Sequence, residues 1–182
     1  DRPVVGSAPV FEHSLEFAGT GRSEKIKGVR ERMKAMGLSH QLLTSPDDIM
    51  WMLNIRGNDY PFSPLLSSFA VVGPDQVLLF ADESRFPLQI QAAFDNDGVV
   101  ILPYEEITTV LHKLPKMSIL LIDPGTTSVS LFHSIASGVR IIEDVSIPSK
   151  MKAVKNKTEI ANINKVMVND GVALTRFFCW IE

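Results

Sequence analysis

Apolar residues recur along this chain at two periods, and the switches between them divide it into elements. Ile26, Val29, Met33 and Met36 stand three, four and three apart, with Gly37 as a stop, which predicts a helix over 23–36. A short buried strand is expected at 41–44. Ser45 then offers a cap, Pro46 suits a first helical position, and Asp47 and Asp48 place negative charge at the positive end of a short helix carrying Ile49-Met50-Trp51-Met52-Leu53. The runs 69–72 and 77–80 flank Gly73-Pro74-Asp75-Gln76, a hairpin signal. Beyond it, apolar runs at 99–102, 118–122 and 139–142 alternate with helix-like segments at 84–94, 104–112 and 127–137. Continuous apolar strands separated by helices imply a mostly parallel sheet covered on both faces, and the hairpin makes that sheet mixed. The expected fold class is α/β, a three-layer α/β/α arrangement.

The two ends differ from this middle. Residues 1–19 carry Pro3, Pro9 and apolar residues without period, and are expected to lie extended on the rest. Near Ile147 the pattern changes: Pro148 is expected to break the chain and 150–155 to form a basic bridge. Asn156, with Glu159 three residues on, opens a helix in capping-box fashion. Ile160, Ile163, Met167, Leu174, Phe178 and Ile181 then form one apolar stripe, interrupted at Gly171. A helix of about 26 residues is about 39 Å long, too long for the preceding sheet to cover, so its apolar side is expected to pack on something beyond this chain.

Between the second helix and the hairpin lies the stretch around which the chain is organised, 48–68. Asn54, Arg56 and Gly57 end its apolar run, and Pro61 and Pro64 fix their own φ and push Tyr60 and Ser63 towards extended conformations. A rigid, aromatic-rich connection of this length is more often functional than filler. Arg56, Asp59 and Tyr60 are its candidate site residues; the alternative is an Arg56–Asp59 ion pair that only holds the loop.

Composition narrows the classes. The 182 residues, 45% hydrophobic and 21% charged, suit one domain with a sizeable core, with or without a piece of another. The net charge of −3 comes from 18 basic and 21 acidic residues that are well interspersed, which leaves no electrostatic footprint for nucleic acid. Cys179 alone excludes an internal disulfide and fits a reducing compartment. No apolar run approaches the roughly 20 residues of a membrane span. The chain starts at Asp1 without an initiator methionine, and 177–182 stops within a helical pattern that has no cap, so it reads as a piece of a longer protein.

Three motifs carry possible chemistry. Leu121-Ile122-Asp123-Pro124-Gly125-Thr126-Thr127-Ser128 resembles the first phosphate loop of actin-like ATPases. Against it, Pro124 removes an N–H, a helix rather than a strand is expected to follow, and no second phosphate loop is evident; a turn capped by Thr126 or Thr127 is favoured. Asp95-Asn96-Asp97-Gly98 starts like a calcium loop, but a strand intervenes before Glu106, so a polar turn is expected. His13, His40, His112 and His133 share no ligand spacing, and Cys179, near the apolar stripe, needs no reactive role.

Trp51-x-Leu-Asn-Ile-Arg-Gly-x-Asp-x-Pro-Phe-x-Pro64 closely resembles a segment of the Xaa-Pro aminopeptidases (aminopeptidase P) of the long, three-domain type. The likeness recurs at Asp123-Pro124, at Val154-Lys155-Asn156-x-x-Glu159-Ile160 and at Asp170-Gly171-Val172-Ala173-Leu174. It implies a creatinase/prolidase N-terminal domain of ribonuclease H-like arrangement over 21–148, entered through a linker, 1–20, from a preceding domain. Residues 149–182 would be a linker and the first helix of a pita-bread metallopeptidase domain, where Met167 and Asn169 replace an expected His and Arg. The implied activity is removal of an N-terminal residue that precedes proline, by two divalent metals, typically Mn²⁺, on two Asp, one His and two Glu beyond that first helix. No catalytic or metal residue is therefore expected in this chain. The implied partners are peptides with proline at the second position and a second copy in a homodimer, in the cytoplasm, with no nucleic acid and no membrane. This domain would position and wall the cleft, with Arg56, Asp59 and Tyr60 at the rim. Two other readings stand: a nucleotide-binding ribonuclease H-like domain using 123–127, and a non-catalytic interaction module.

Overall fold

The apolar runs assemble as one sheet with a separate core on each face. The structure, a computed structural model, describes residue 6 and residues 8–182. In chain order the elements are β1 (Phe11–Glu12), α1 (Leu15–Ala18), α2 (Arg22–Ala35), β2 (His40–Leu43), α3 (Pro46–Leu53), β3 (Ile55–Arg56), β4 (Phe69–Val72), β5 (Val77–Phe80), α4 (Leu88–Asp97) and β6 (Val99–Leu102). They continue with α5 (Ile107–His112), β7 (Ile119–Ile122), α6 (Val129–His133), β8 (Arg140–Glu143), α7 (Ile147–Ala153) and α8 (Lys157–Ile181). The main sheet has six strands in the order β6-β5-β4-β2-β7-β8. β4 runs antiparallel to both β2 and β5, while β5–β6, β2–β7 and β7–β8 are parallel, so the sheet is mixed as the hairpin requires.

Alternation along each strand separates the two cores. Leu43, Ala70, Val72, Leu79, Val99 and Leu121 face α2, α3, α4 and α7, which contribute Ile26, Val29, Met33, Ile49, Leu53, Phe94 and Ile147. Leu42, Val71, Phe80, Leu120 and Ile122 face α5 and α6, which contribute Ile107, Leu111 and Leu131. The three layers expected from the pattern are present.

Several local expectations are corrected. The helix expected over 84–94 is split: Asp82 caps a 3₁₀ turn at Glu83–Arg85, and Pro87 holds Phe86 extended (φ −96°, ψ 115°) before α4 begins. Pro148 does not break the chain. It sits in the first turn of α7, where its missing N–H costs nothing, and Ser146 caps that turn by accepting from the Ser149 N–H. Ile147 lies in the larger core and Met151 packs against it. The basic bridge is likewise tied down: Lys152 pairs with Asp47 and Asp48 at the head of α3, and Lys150 with Asp144. Of the expected extended lead-in, 1–5 and 7 lie outside the described residues; the rest includes β1 paired antiparallel with β3, and the short helix α1 that its pattern did not signal.

α8 is a different case. Its capping box is formed as expected, and no residue along its 25 is buried. Ile160, Ile163, Met167, Leu174, Phe178 and Ile181 stay open, so this chain's sheet does not cover them. Ile49→Ala should therefore cost about 2–5 kcal/mol in urea unfolding of the chain, whereas Ile163→Ala should stay within about 0.5 kcal/mol of wild type. Equal losses would show that α8 belongs to the same core.

Candidate functional site

The arm at 57–68 leaves the body just after Asn54, a residue linked to the root of α8 through Lys25 and Trp51. α3 ends on Asn54 in the left-handed conformation (φ 51°, ψ 44°), its N–H donating to Met50 O. Asparagine tolerates this geometry as few other residues do. Its side chain is buried and both polar atoms are bonded: Oδ1 accepts from Lys25 Nζ at 2.7 Å and Nδ2 donates to Thr20 O at 2.9 Å. Its carbonyl accepts the His13 N–H at 2.8 Å.

Lys25 is only 3% exposed. It also donates to Trp51 O at 3.0 Å, and its ammonium lies 4.4 Å from the Trp51 ring centroid, a cation–π contact. Trp51 Nε1 donates to Glu159 Oε1 at 3.4 Å, while Glu159 Oε2 accepts the Asn156 N–H at 2.8 Å. Asn156 Nδ2 donates to Ala18 O at 2.8 Å and Asn162 Nδ2 to Glu16 O at 3.0 Å. Gly19 (φ +67°) makes this approach possible: a Cβ there would lie 2.6 Å from Asn156 Oδ1 and 2.7 Å from Thr158 Cβ. Burial pushes Lys25 down to about 8, partly offset by the Glu159 carboxylate and reinforced by the Arg56 charge. His13 is lowered by burial and then by Arg56 and Lys25, with Glu159 opposing. Beside this socket, His13, Phe17, Glu159, Ile163, Val166 and Met167 line an open groove of about 460 Å³.

The three candidate residues separate into two that point inward and one that does not. Arg56 Nη1 donates to Met50 O at 3.1 Å and Ile55 O at 2.8 Å, so it caps the last turn of α3. Asp59 pairs with Arg85, which sequence reasoning missed, and not with Arg56: Nη2 lies 2.6 Å from Oδ1 and Nη1 3.0 Å from Oδ2, with side chains 4% and 2% exposed. Asp59 Oδ2 also accepts the Ser67 N–H at 2.7 Å, and Arg85 Nε donates to Ala8 O at 3.0 Å. Burial alone would raise the Asp59 carboxyl; Arg85 and Ser67 outweigh it and hold the group below its usual range. Tyr60 is exposed at the tip, bridged to Ser63. Next to it Phe62 is wholly exposed and adopts φ 63°, a geometry costing an L-residue roughly 1–2 kcal/mol. The base of the arm is tight: a Cβ on Gly57 would meet Leu66 Cβ at 2.8 Å and Leu65 O at 2.9 Å.

The Asp123 loop spends its backbone donors internally. Gly125 N donates to Asp123 Oδ1 at 2.9 Å, and the Thr126 and Thr127 N–H groups donate to Asp123 O. Asp123 Oδ2 accepts the Ser146 N–H at 3.2 Å. The cap of α6 is Ser128, not the expected Thr126 or Thr127, and Asp95–Asp97 closes α4 with Gly98 as a left-handed stop. Among the described residues, no group of three or more His, Cys, Asp or Glu is placed to hold a metal ion, and no helix is long and apolar enough to cross a membrane.

Residues 1–159 match the creatinase/prolidase N-terminal domain. The chain belongs to that family. The probable Xaa-Pro aminopeptidase P of Phaeosphaeria nodorum is 31% identical over 194 residues, covering 100% of this chain and 29% of the relative. The Xaa-Pro aminopeptidase 1 of Dictyostelium discoideum is 33% identical over 181 residues, covering 99% and 28%. The X-prolyl aminopeptidase of Caenorhabditis elegans, described as a cytosolic enzyme with a di-nuclear active site, superposes with a TM-score of 0.92 at 29% identity, over 100% of this chain and 30% of that one. The Xaa-Pro dipeptidase of Bacillus anthracis shares the fold, with a TM-score of 0.58 at 16% identity. The chain spans about 30% of the length of the curated relatives it matches.

In this creatinase/prolidase-type domain the buried ammonium makes a signed prediction. Lys25 has a folded pKa near 8, below its ordinary 10.5, so between those values the unfolded chain holds a proton that the folded chain has released. Stability should then rise with pH across that window. The urea midpoint of wild type relative to Lys25→Met should climb from pH 8 to pH 10.5 and be level below pH 8; a constant difference contradicts a lowered Lys25.

Proposed function

We propose that this chain is the non-catalytic creatinase/prolidase-like part of an Xaa-Pro aminopeptidase, the enzyme that removes an N-terminal residue preceding proline. The observation that carries the reading is the full-chain superposition on the Caenorhabditis elegans X-prolyl aminopeptidase, which extends through α8. The scissile bond is a tertiary amide without an N–H on its leaving side. The relative is described as having a di-nuclear active site, and no chemical step is assigned to this chain. On this reading two divalent ions, Mn²⁺ by the preference of hard carboxylate ligands, are held by the rest of the full-length protein, which acts as a cytosolic homodimer.

The domain's part is mechanical. We place the change of unit at Val154–Lys155, after α7, because Ile147 and Met151 belong to the α/β core and Val154 is exposed. The socket around Asn54, Lys25, Trp51 and Glu159 fixes the direction of α8, whose open apolar side is the seat of the catalytic domain. The arm walls the cleft. Arg56 and Asp59 brace it from inside, and Tyr60 stands at the rim.

The full-length protein supplied with Mn²⁺ should cleave Ala-Pro-Phe at its first bond at least tenfold faster than Ala-Ala-Phe. It should lose that activity to a chelator, and the 182-residue chain alone should have none. Equal cleavage of both peptides, or activity in the chain alone, contradicts the proposal.

A further inference from the structure

The arm holds out an aromatic ring at the expense of its own backbone. Phe62 is fully exposed in a left-handed conformation that bulky residues avoid, although the arm around it is firmly tied. Asp59 N donates to Leu65 O at 2.9 Å, Gly57 N to Pro64 O at 3.2 Å and Leu65 N to Ser63 O at 2.8 Å, and the Asp59–Arg85 pair locks the base. A backbone so over-determined keeps a strained residue at its tip, the usual circumstance of a contact site. Among the described residues, no aromatic ring packs on Phe62 and no cation stands over it.

Size and place select the occupant. One ring offers roughly 150–250 Å². That is far below the about 800 Å² per partner of a stable protein interface, so a second copy is poorly matched and a side chain of a peptide well matched. The arm leaves the body at β3, which pairs with Phe11–Glu12, and the neighbouring His13 lines the groove against α8. The base of the arm thus lies beside the root of α8. An aminopeptidase holds the short N-terminal side of its substrate at the reacting centre, and the longer remainder runs out of the cleft past its wall.

Resting on the proposed function, we infer that Phe62, with Tyr60 beside it, is a specificity-determining contact that stacks on the substrate residue following proline. The strain at position 62 is then retained for recognition. Glycine adopts φ 63° freely, so Phe62→Gly relaxes the backbone while deleting the ring.

The test is steady-state kinetics of the full-length enzyme on Ala-Pro, Ala-Pro-Gly and Ala-Pro-Phe, with thermal unfolding alongside. Phe62→Gly should unfold no earlier than wild type and should raise KM for Ala-Pro-Phe roughly five- to tenfold. It should leave kcat for that peptide and both constants for Ala-Pro and Ala-Pro-Gly unchanged, and Phe62→Tyr should restore the wild-type KM. An active wild type whose KM for Ala-Pro-Phe is unmoved by Phe62→Gly overturns this inference alone, as does an equal loss on all three peptides. A wild type inactive on all three overturns the proposed function and this inference with it.

Discussion

A single left-handed residue, Asn54, carries the junction on which the architecture depends. Its backbone closes α3 and receives β1, and its amide joins Lys25 of α2 to the Thr20 carbonyl. From that point the chain continues directly into β3 and the arm, while Lys25 passes the connection on through Trp51 to Glu159 at the head of α8. Burying an ammonium is costly unless its donors are satisfied, and here two oxygens and a ring face meet it. The cost appears as the lowered Lys25 pKa, and the return is a fixed relation between three segments distant in sequence.

That relation separates what the domain holds from what it offers. The sheet and its two cores are built from the segment α2 to α7, with Val10 of the lead-in added to the larger one. α8 adds no buried residue, yet its root is held by Asn156 on Ala18, Asn162 on Glu16 and Trp51 on Glu159. A helix anchored at one end and open along its apolar side is a strut, and its direction is set before any partner meets it. The arm follows the same logic: a buried ion pair at the base, a strained aromatic at the tip.

Much of this was legible in the sequence because the signals were local. The hairpin at Gly73–Gln76, the alternation of apolar strands and helices, and the Asn156–Glu159 capping box each depend on residues a few positions apart. The pairs that make the site do not. Asp59 finds Arg85 across 26 positions and Trp51 finds Glu159 across 108, and neither partner carries a cue in its own neighbourhood. Arg56 was a plausible partner for Asp59 by proximity, but the Met50 and Ile55 carbonyls claim its guanidinium first. Pro148 misled for a related reason: a proline ends one helix or begins another according to what precedes it, and Ser146, with its hydroxyl bonded to Asp48 on α3, settles the matter from outside the local pattern.

The central claim is that the Asn54 side chain, by way of Lys25 and Trp51, holds the root of α8. Asn54→Gly removes that side chain and keeps the backbone conformation, so hydrogen–deuterium exchange of the full-length variant tests the claim directly. Exchange should quicken together at 20–25, in the last turn of α3 and in the first turns of α8 at 157–163, with the sheet strands and the arm at 57–67 unchanged. Faster exchange confined to Thr20, Lys25 and the last turn of α3 would contradict it.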